Sequence, residues 1–264
     1  MIASQGYVPV EGGRLWYQRA GEGFPVVLVH PDLWDSRIWE DQFDELSHHH
    51  DVIQYDQRGA GRSDPPTGPY SGLRDLLYLL DELGVGRCAL VGCASGAALA
   101  IDLALASPMI ADALVLTAPD VSGRRWEDPG LPVLEAEIER AALSGDLDVV
   151  LGMQLAVWAP GGLDPGSDDR VLAVARDNVA SVRAASTHRE PPPPTIERLE
   201  EITAATLVVV GDRDLAERHA IAELLASRIP GASKRVIAEA DQLVNVRKPT
   251  KFNRLLLDFL AFRS

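Results

Sequence analysis

Short apolar runs alternate along the first half of the chain with longer segments whose apolar positions recur every three to four residues. Val26–His30 (VVLVH) is a continuous apolar run, as expected of a strand covered on both faces, and Asp51–Asp56, Cys88–Gly92 and Ala113–Ala118 are further strand candidates. Leu207–Gly211 and Lys234–Ile237 repeat the pattern near the end of the chain. Leu15–Ala20, after the turn Glu11-Gly12-Gly13-Arg14, reads as the return strand of an N-terminal hairpin. Helical spacing marks Ser36–Ser47, Ser71–Leu83, Ser95–Ser107, Glu217–Ile229 and Pro249–Phe262. Ser36 and Ser71 are expected N-caps, and Pro249 suits a first helical turn, where no backbone N–H is needed. Strands alternating with helices predict an α/β architecture with a parallel sheet between helical layers.

Between Val121 and Pro194 no strand-like run occurs. The segment reads as helices broken at Pro129, Pro132, Pro160-Gly161-Gly162 and Pro165-Gly166, and it ends in the stiff tether Pro191–Pro194. The expected organisation is a core of residues 1–120 and 195–264 with a helical cap of residues 121–194. Such a cap would lie over the carboxyl edge of the sheet, where doubly wound sheets place their sites.

The segment Leu90–Pro108, LVGCASGAALAIDLALASP, is a strand, a tight turn of small residues and a helix. It resembles the nucleophile elbow G-x-S-x-G of the α/β-hydrolases. VLVHPDLWDSRIWEDQF (Val27–Phe43) is similar to that family's oxyanion loop, and YDQRGAGRSD (Tyr55–Asp64) to its D-x-R-G-x-G-x-S turn. LVVVGDRDL (Leu207–Leu215) is similar to its acid-bearing loop, and ADQLVNVRKPTKFNRLLLDFL (Ala240–Leu260) to its histidine-bearing segment. The resemblance implies an α/β-hydrolase fold: a mostly parallel, doubly wound sheet of about eight strands with a helical lid inserted after the sixth.

The resemblance also implies where the triad should stand. With Gly92 and Gly96 as the elbow glycines, the nucleophile position falls on Ala94, which has no hydroxyl. Aligning Asn245 and Pro249 puts the histidine position on Gln242, whose amide orients a water but exchanges no proton near neutral pH. Asp214 keeps the place of the acid. The oxyanion backbone N–H groups are expected at Asp32 and Ser95. An inward-pointing Asp32 carboxylate would oppose a developing oxyanion by about 4 kcal/mol at ~4 Å and an effective dielectric of ~20. Acyl transfer would then be disfavoured, and Asp32 becomes a candidate general base.

Each position has a plainer reading beside the sharp one. A register shifted by one makes Ser95 the nucleophile; otherwise Ser95 opens or caps the following helix. Cys93 belongs in the packing beside the elbow, where a thiol is inert. Asp214 is either a catalytic orienter or a loop-capping carboxylate. His48-His49-His50 reads as a solvated helix end, since consecutive residues do not converge on one ion. His30 reads as structural, and His219 falls near the start of a helix. His188 reaches the cleft from the lid or is an exposed linker residue. Trp126, Met153 and Trp158 are candidates to line an apolar pocket, with at least one of the two tryptophans expected to face the cleft. Trp39 reads as core and Trp34 as core or cleft.

Composition narrows the function classes. The chain has 264 residues, 46% of them hydrophobic, and a formal net charge of −14, which repels nucleic-acid phosphates and anionic lipid heads. Two cysteines form no disulfide framework, no signal peptide is visible, and the longest uncharged stretch, Val149–Leu163, is too short to span a bilayer. The expectation is a cytoplasmic monomer or homodimer that binds an apolar small molecule and uses no nucleic acid or membrane. No glycine-rich dinucleotide loop or metal constellation is present, so no cofactor and no metal are implied. Three functions stay open. One is a cofactor-independent enzyme for C–C bond formation, cyclisation, elimination or rearrangement, working through Asp32, Asp214 and Gln242. Another is a non-catalytic pseudo-hydrolase. The third is a serine hydrolase inactivated at Ala94.

Overall fold

The computed structural model describes residues 4–124, 130–160, 169–186, 188–190 and 192–261. Eight strands form one sheet: β1 (Ser4–Val10), β2 (Gly13–Ala20), β3 (Pro25–Val29), β4 (Asp51–Tyr55), β5 (Cys88–Cys93), β6 (Ala111–Thr117), β7 (Ala205–Gly211) and β8 (Ser233–Ile237). Their order is β1-β2-β4-β3-β5-β6-β7-β8. β1 and β2 form the predicted hairpin, β2 meets β4 antiparallel, and every pairing from β4 to β8 is parallel. This is the α/β-hydrolase fold.

Helices cover both faces. On one side lie α2 (Gly72–Glu82), α3 (Ser95–Ala106) and α7 (Ala216–Arg228), which bury Leu76, Leu79, Ile101 and Ile221 against Val27, Leu90 and Val208. On the other lie α1 (Glu40–Leu46), the short α8 (Val244–Arg247) and α9 (Pro249–Leu260). Phe252, Leu256 and Leu260 recur every four residues along α9 and are wholly buried. Each contributes roughly 1.5–3 kcal/mol by leaving water. Trp39 is core as expected, stacked on Phe252 at 6.4 Å. Ser71 caps α2 by accepting the Arg74 N–H at 3.4 Å. Ser36 does not cap its helix. The cap is Asp35, whose carboxylate accepts the Arg37 N–H at 3.0 Å and opens a 3-10 turn ahead of α1.

Between β6 and β7 stand α4 (Gly130–Ser144), α5 (Leu147–Trp158) and α6 (Asp169–Ser186). Val150 and Leu155 of α5 and Val171 and Val174 of α6 share one apolar cluster with Val26, Leu28 and Trp34, so these helices are continuous with the core. The two ends of the insertion meet at Asp102 of α3. Its carboxylate accepts the Ser122 hydroxyl at 2.9 Å and the Thr195 hydroxyl at 3.0 Å, and burial pushes this carboxyl up to about 6. Gly123 (φ +91°) lies against Pro194, where a side chain would collide with the tether. No helix among the described residues is long and apolar enough to cross a membrane. Both cysteines are free and buried.

Candidate active site

The strand–turn–helix of β5, Ala94 and α3 makes a sharp corner at the carboxyl edge of the sheet. Ala94 sits at its apex with φ +48° and ψ −115°, a strained conformation for any residue with a side chain. The backbone is held there by the Ala94 N–H donating to the Thr117 carbonyl at 3.0 Å. The flanking glycines fix the register. A Cβ on Gly92 would stand 2.4 Å from the Gly96 carbonyl oxygen, and one on Gly96 would stand 2.3 Å from that of Val29. Gly96→Ala is therefore expected to cost about 2–3 kcal/mol by overpacking, read as a lowered urea midpoint at unchanged slope. An unchanged midpoint would refute this close packing.

A cavity of about 210 Å³ opens in front of the apex. It brings together Asp32, Trp34, Ala94, Ser95, Trp158 and Gln242, six of the positions read from the sequence. Asp120, Gln154 and Arg218 join them. The lining is thus mixed, with tryptophan walls and several charged or amide groups, rather than apolar. Trp34 is both core and cleft: it is buried, and its indole N–H donates to the Val171 carbonyl at 3.2 Å. Trp158 has the Arg218 guanidinium 5.4 Å from its ring centre. Met153 is half-buried and does not line the cavity. Trp126 lies outside the described residues.

Asp32 does not stand as a bare carboxylate. Arg189 grips it with two hydrogen bonds, at 3.0 and 3.1 Å. Burial alone would raise this carboxyl, but the charge and hydrogen bonds of Arg189 outweigh it and hold the group below the usual carboxylate range. The expected repulsion is thereby largely neutralised, and Asp32 is a poor general base. Its backbone N–H, an expected oxyanion donor, donates to the Ser95 hydroxyl at 2.9 Å. Ser95 is the first residue of α3 and does not cap it, since Ala94 holds the cap position without a side-chain bond. The Ser95 Oγ thus takes the hydrogen bond that the family resemblance assigns to a substrate oxygen.

The Asp214 carboxylate accepts the Leu215 N–H at 2.8 Å through Oδ1, while its Oδ2 is buried without a hydrogen-bond partner. Burial pushes this carboxyl up to about 6. Asp214 stands in the loop after β7 and is not among the cavity-lining residues. Gln242, 3% exposed, follows β8 and also has a buried side-chain oxygen, Oε1, without a partner. The Cys93 thiol lies beneath, 3.7 Å from the Gln242 carbonyl, and burial raises it far into the inert range.

The histidines are elsewhere. Gln57 donates its backbone N–H to His30 Nε2 at 2.8 Å, which leaves the proton on Nδ1 for the Pro31 carbonyl at 2.9 Å; the ring is structural. His188 is exposed and does not line the cavity, contrary to the expected substrate contact. Its neighbour Arg189 is the residue that reaches Asp32 on the cavity wall, because the end of the lid pairs with Tyr70. The Tyr70 N–H donates to the His188 carbonyl, and the Glu190 N–H donates to that of Tyr70. His48 and His49 are exposed, and no cluster of three metal-ligating side chains occurs among the described residues. Sequence reasoning missed Arg189, Asp120, Gln154 and Arg218. Asp120 had a usable signal in its place just beyond the carboxyl end of β6, and Arg218 in standing four residues after Asp214.

An elbow at the carboxyl edge of an eight-stranded sheet, under helices inserted after the sixth strand, is the architecture of an α/β-hydrolase. The chain belongs to the alpha/beta hydrolase family, whose model matches residues 26–255. It is 29% identical over 255 residues to a protein of Variovorax paradoxus (strain S110) named "Putative carbamate hydrolase RutD", across 89% of this chain and 91% of that one. It is 28% identical over 243 residues to a protein of the same name from Pseudomonas savastanoi pv. phaseolicola, across 85% and 89% of the two chains. Among solved structures, Est816, described as an N-acyl homoserine lactone degrading enzyme, superimposes with a TM-score of 0.79 at 30% identity. The match covers 96% of this chain and all of Est816. The enol-lactonase of Burkholderia xenovorans LB400 gives 0.79 at 25% identity, over 97% of this chain and all of that one.

Proposed function

We propose that the chain is an enzyme that binds a small molecule in this cleft and acts on it without a seryl-enzyme intermediate. The reaction class is proton transfer with positioning: elimination, cyclisation, rearrangement or C–C bond formation. One observation carries the reading. A methyl group, that of Ala94, stands at the apex where the family resemblance places a nucleophilic hydroxyl. Gln242 in place of an imidazole, and the Ser95 hydroxyl on the Asp32 N–H, point the same way. Asp214 is left as the group whose proton affinity lies near neutral pH, the property wanted of a general acid or base. Gln242 orients the substrate or a water that relays its proton. Holding reactants in a productive geometry supplies up to roughly 7–11 kcal/mol, so the missing nucleophile does not preclude catalysis.

A second reading, hydrolysis with water as the attacking group and Asp214 as its base, is favoured by the names of the relatives, which are hydrolases and lactone-degrading enzymes. Reaction with p-nitrophenyl acetate and with an N-acyl homoserine lactone separates the two. The expected result is no burst, no turnover and no acyl adduct by intact-mass spectrometry, with Ala94→Ser alone installing neither. Steady turnover of either compound by the unaltered chain would overturn the non-hydrolytic reading and establish the second.

A further inference from the structure

The Gln242 side chain ends in a carboxamide, an acceptor beside a donor, and it lines the cavity while almost wholly buried. Its Oε1 has no hydrogen-bond partner within the protein. Buried polar atoms are rarely left unmade, so an orphan acceptor on a residue that lines a cavity points to a ligand that donates to it. Rotating the amide about its last bond exchanges the two ends but still presents one donor next to one acceptor. The complementary partner is a group with an N–H and a carbonyl on the same edge, as in a lactam, a primary carboxamide, a urea or a carbamate.

The charges in the lining are matched inside the protein. Asp32 is paired with Arg189 at 3.0 Å, and Asp120 with Arg218 at 3.3 Å. The wall presents no net charge to a ligand at these two pairs, which suits a neutral molecule. Trp34 and Trp158 supply flat apolar surface beside the amide.

We infer that the cleft selects neutral compounds with an amide N–H and carbonyl on one edge (primary carboxamides, lactams, ureas or carbamates) over the corresponding esters and lactones, and that Gln242 is the residue that discriminates. This rests on the reading of the cleft as a small-molecule site and adds the class of ligand it takes. An amide N–H donates to Gln242 Oε1 while Nε2 donates to the amide carbonyl. An ester presents two acceptors and can satisfy only one end of the glutamine. The other end then stays desolvated and unpaired, a loss equivalent to roughly tenfold to hundredfold in affinity.

The test compares δ-valerolactam with δ-valerolactone, two near-isosteric rings of which only the lactam carries an N–H on the same edge as its carbonyl, by ligand-observed NMR titration of the full chain. The lactam is expected to bind at least tenfold more tightly. In Gln242→Leu, and independently in Gln242→Met, the two are expected to come within about threefold of each other. Equal affinities in the unaltered protein overturn the inference while leaving the ligand site intact. A preference that survives both substitutions assigns the discrimination to another residue and overturns it too. Binding of neither probe would refute the cleft as a site for such molecules, and the inference with it. Hydrolysis of δ-valerolactone during the titration would count against the parent reading alone, provided the lactam still binds more tightly.

Discussion

Arg58→Met is expected to destabilise the protein by about 3–5 kcal/mol at neutral pH, a third or more of the stability of an ordinary domain. Arg58 makes two hydrogen bonds to Asp75, at 2.9 and 2.7 Å, and the two side chains are only 2% and 8% exposed. The guanidinium also lies 5.0 Å from the centre of the Tyr70 ring. The dominant influence on Asp75 is burial, which keeps its carboxyl above the ordinary value even with Arg58 beside it. Removing the cation leaves a buried carboxylate without its hydrogen-bonded partner, with only the weaker influence of Arg74 and Arg189 to compensate its charge. The deficit should therefore shrink as pH falls and Asp75 takes up a proton. Arg58→Met combined with Asp75→Leu should recover more than half of the loss, because a buried pair contributes little net stability while a broken one costs much. Urea unfolding of the three variants reads this directly. A single variant within 1 kcal/mol of the parent, or a double variant no better than the single, would refute it.

Asp214→Asn is expected to stabilise the protein and to lower its turnover by orders of magnitude. The carboxyl stands at about 6 in the folded chain against 3.8 ordinarily, with burial as the main cause. Between these values the folded state holds the proton and the unfolded state has lost it, so stability falls as pH rises through the window and stays lower above it. At 1.36 kcal/mol per pKa step, the gap from 3.8 to about 6 is about 3 kcal/mol. Near pH 4 the neutral acid and the amide should be nearly equal in stability. By pH 7 the variant should be more stable by about 3 kcal/mol. Asp102, also pushed up to about 6, contributes the same slope in both proteins and cancels from the difference. Loss of a general acid or base typically lowers turnover by 10²–10⁴-fold. A stabilising substitution that removes function is the signature of a group retained for chemistry. A stability difference independent of pH would show that Asp214 ionises as an ordinary surface carboxylate.

Much of the fold was legible along the chain because it rests on local periodicity. Continuous apolar runs gave strands buried on both faces, and three-to-four spacing gave the helices that cover them. Boundaries moved by a residue or two where capping decided them, as at Asp35, which takes the role expected of Ser36. The apex was legible for a different reason. Two glycines at fixed spacing around small residues are needed wherever a helix turns back that tightly on a strand, and their clashes with the Gly96 and Val29 carbonyls are the physical content of the motif. Arg189 was not legible. It pairs with Asp32 across 157 positions, and nothing in its surroundings distinguishes it from His188 next to it. The strand-like bridge to Tyr70 decides which of the two faces inward.

The chain alone determined the order of strands and helices, the corner at Ala94, and the placing of a methyl and an amide where the resemblance calls for a nucleophile and a base. These follow from residue types and short-range spacing, which survive without coordinates. Only the tertiary structure decided that Asp32 is neutralised, that the Ser95 hydroxyl sits on its N–H, that Asp214 is raised, and that Gln242, on the cavity wall, keeps a buried acceptor without a partner. Each of those is a matter of which group lies within a few ångströms and how much water is excluded. Pairings across 60 to 160 positions leave no periodic trace in a sequence.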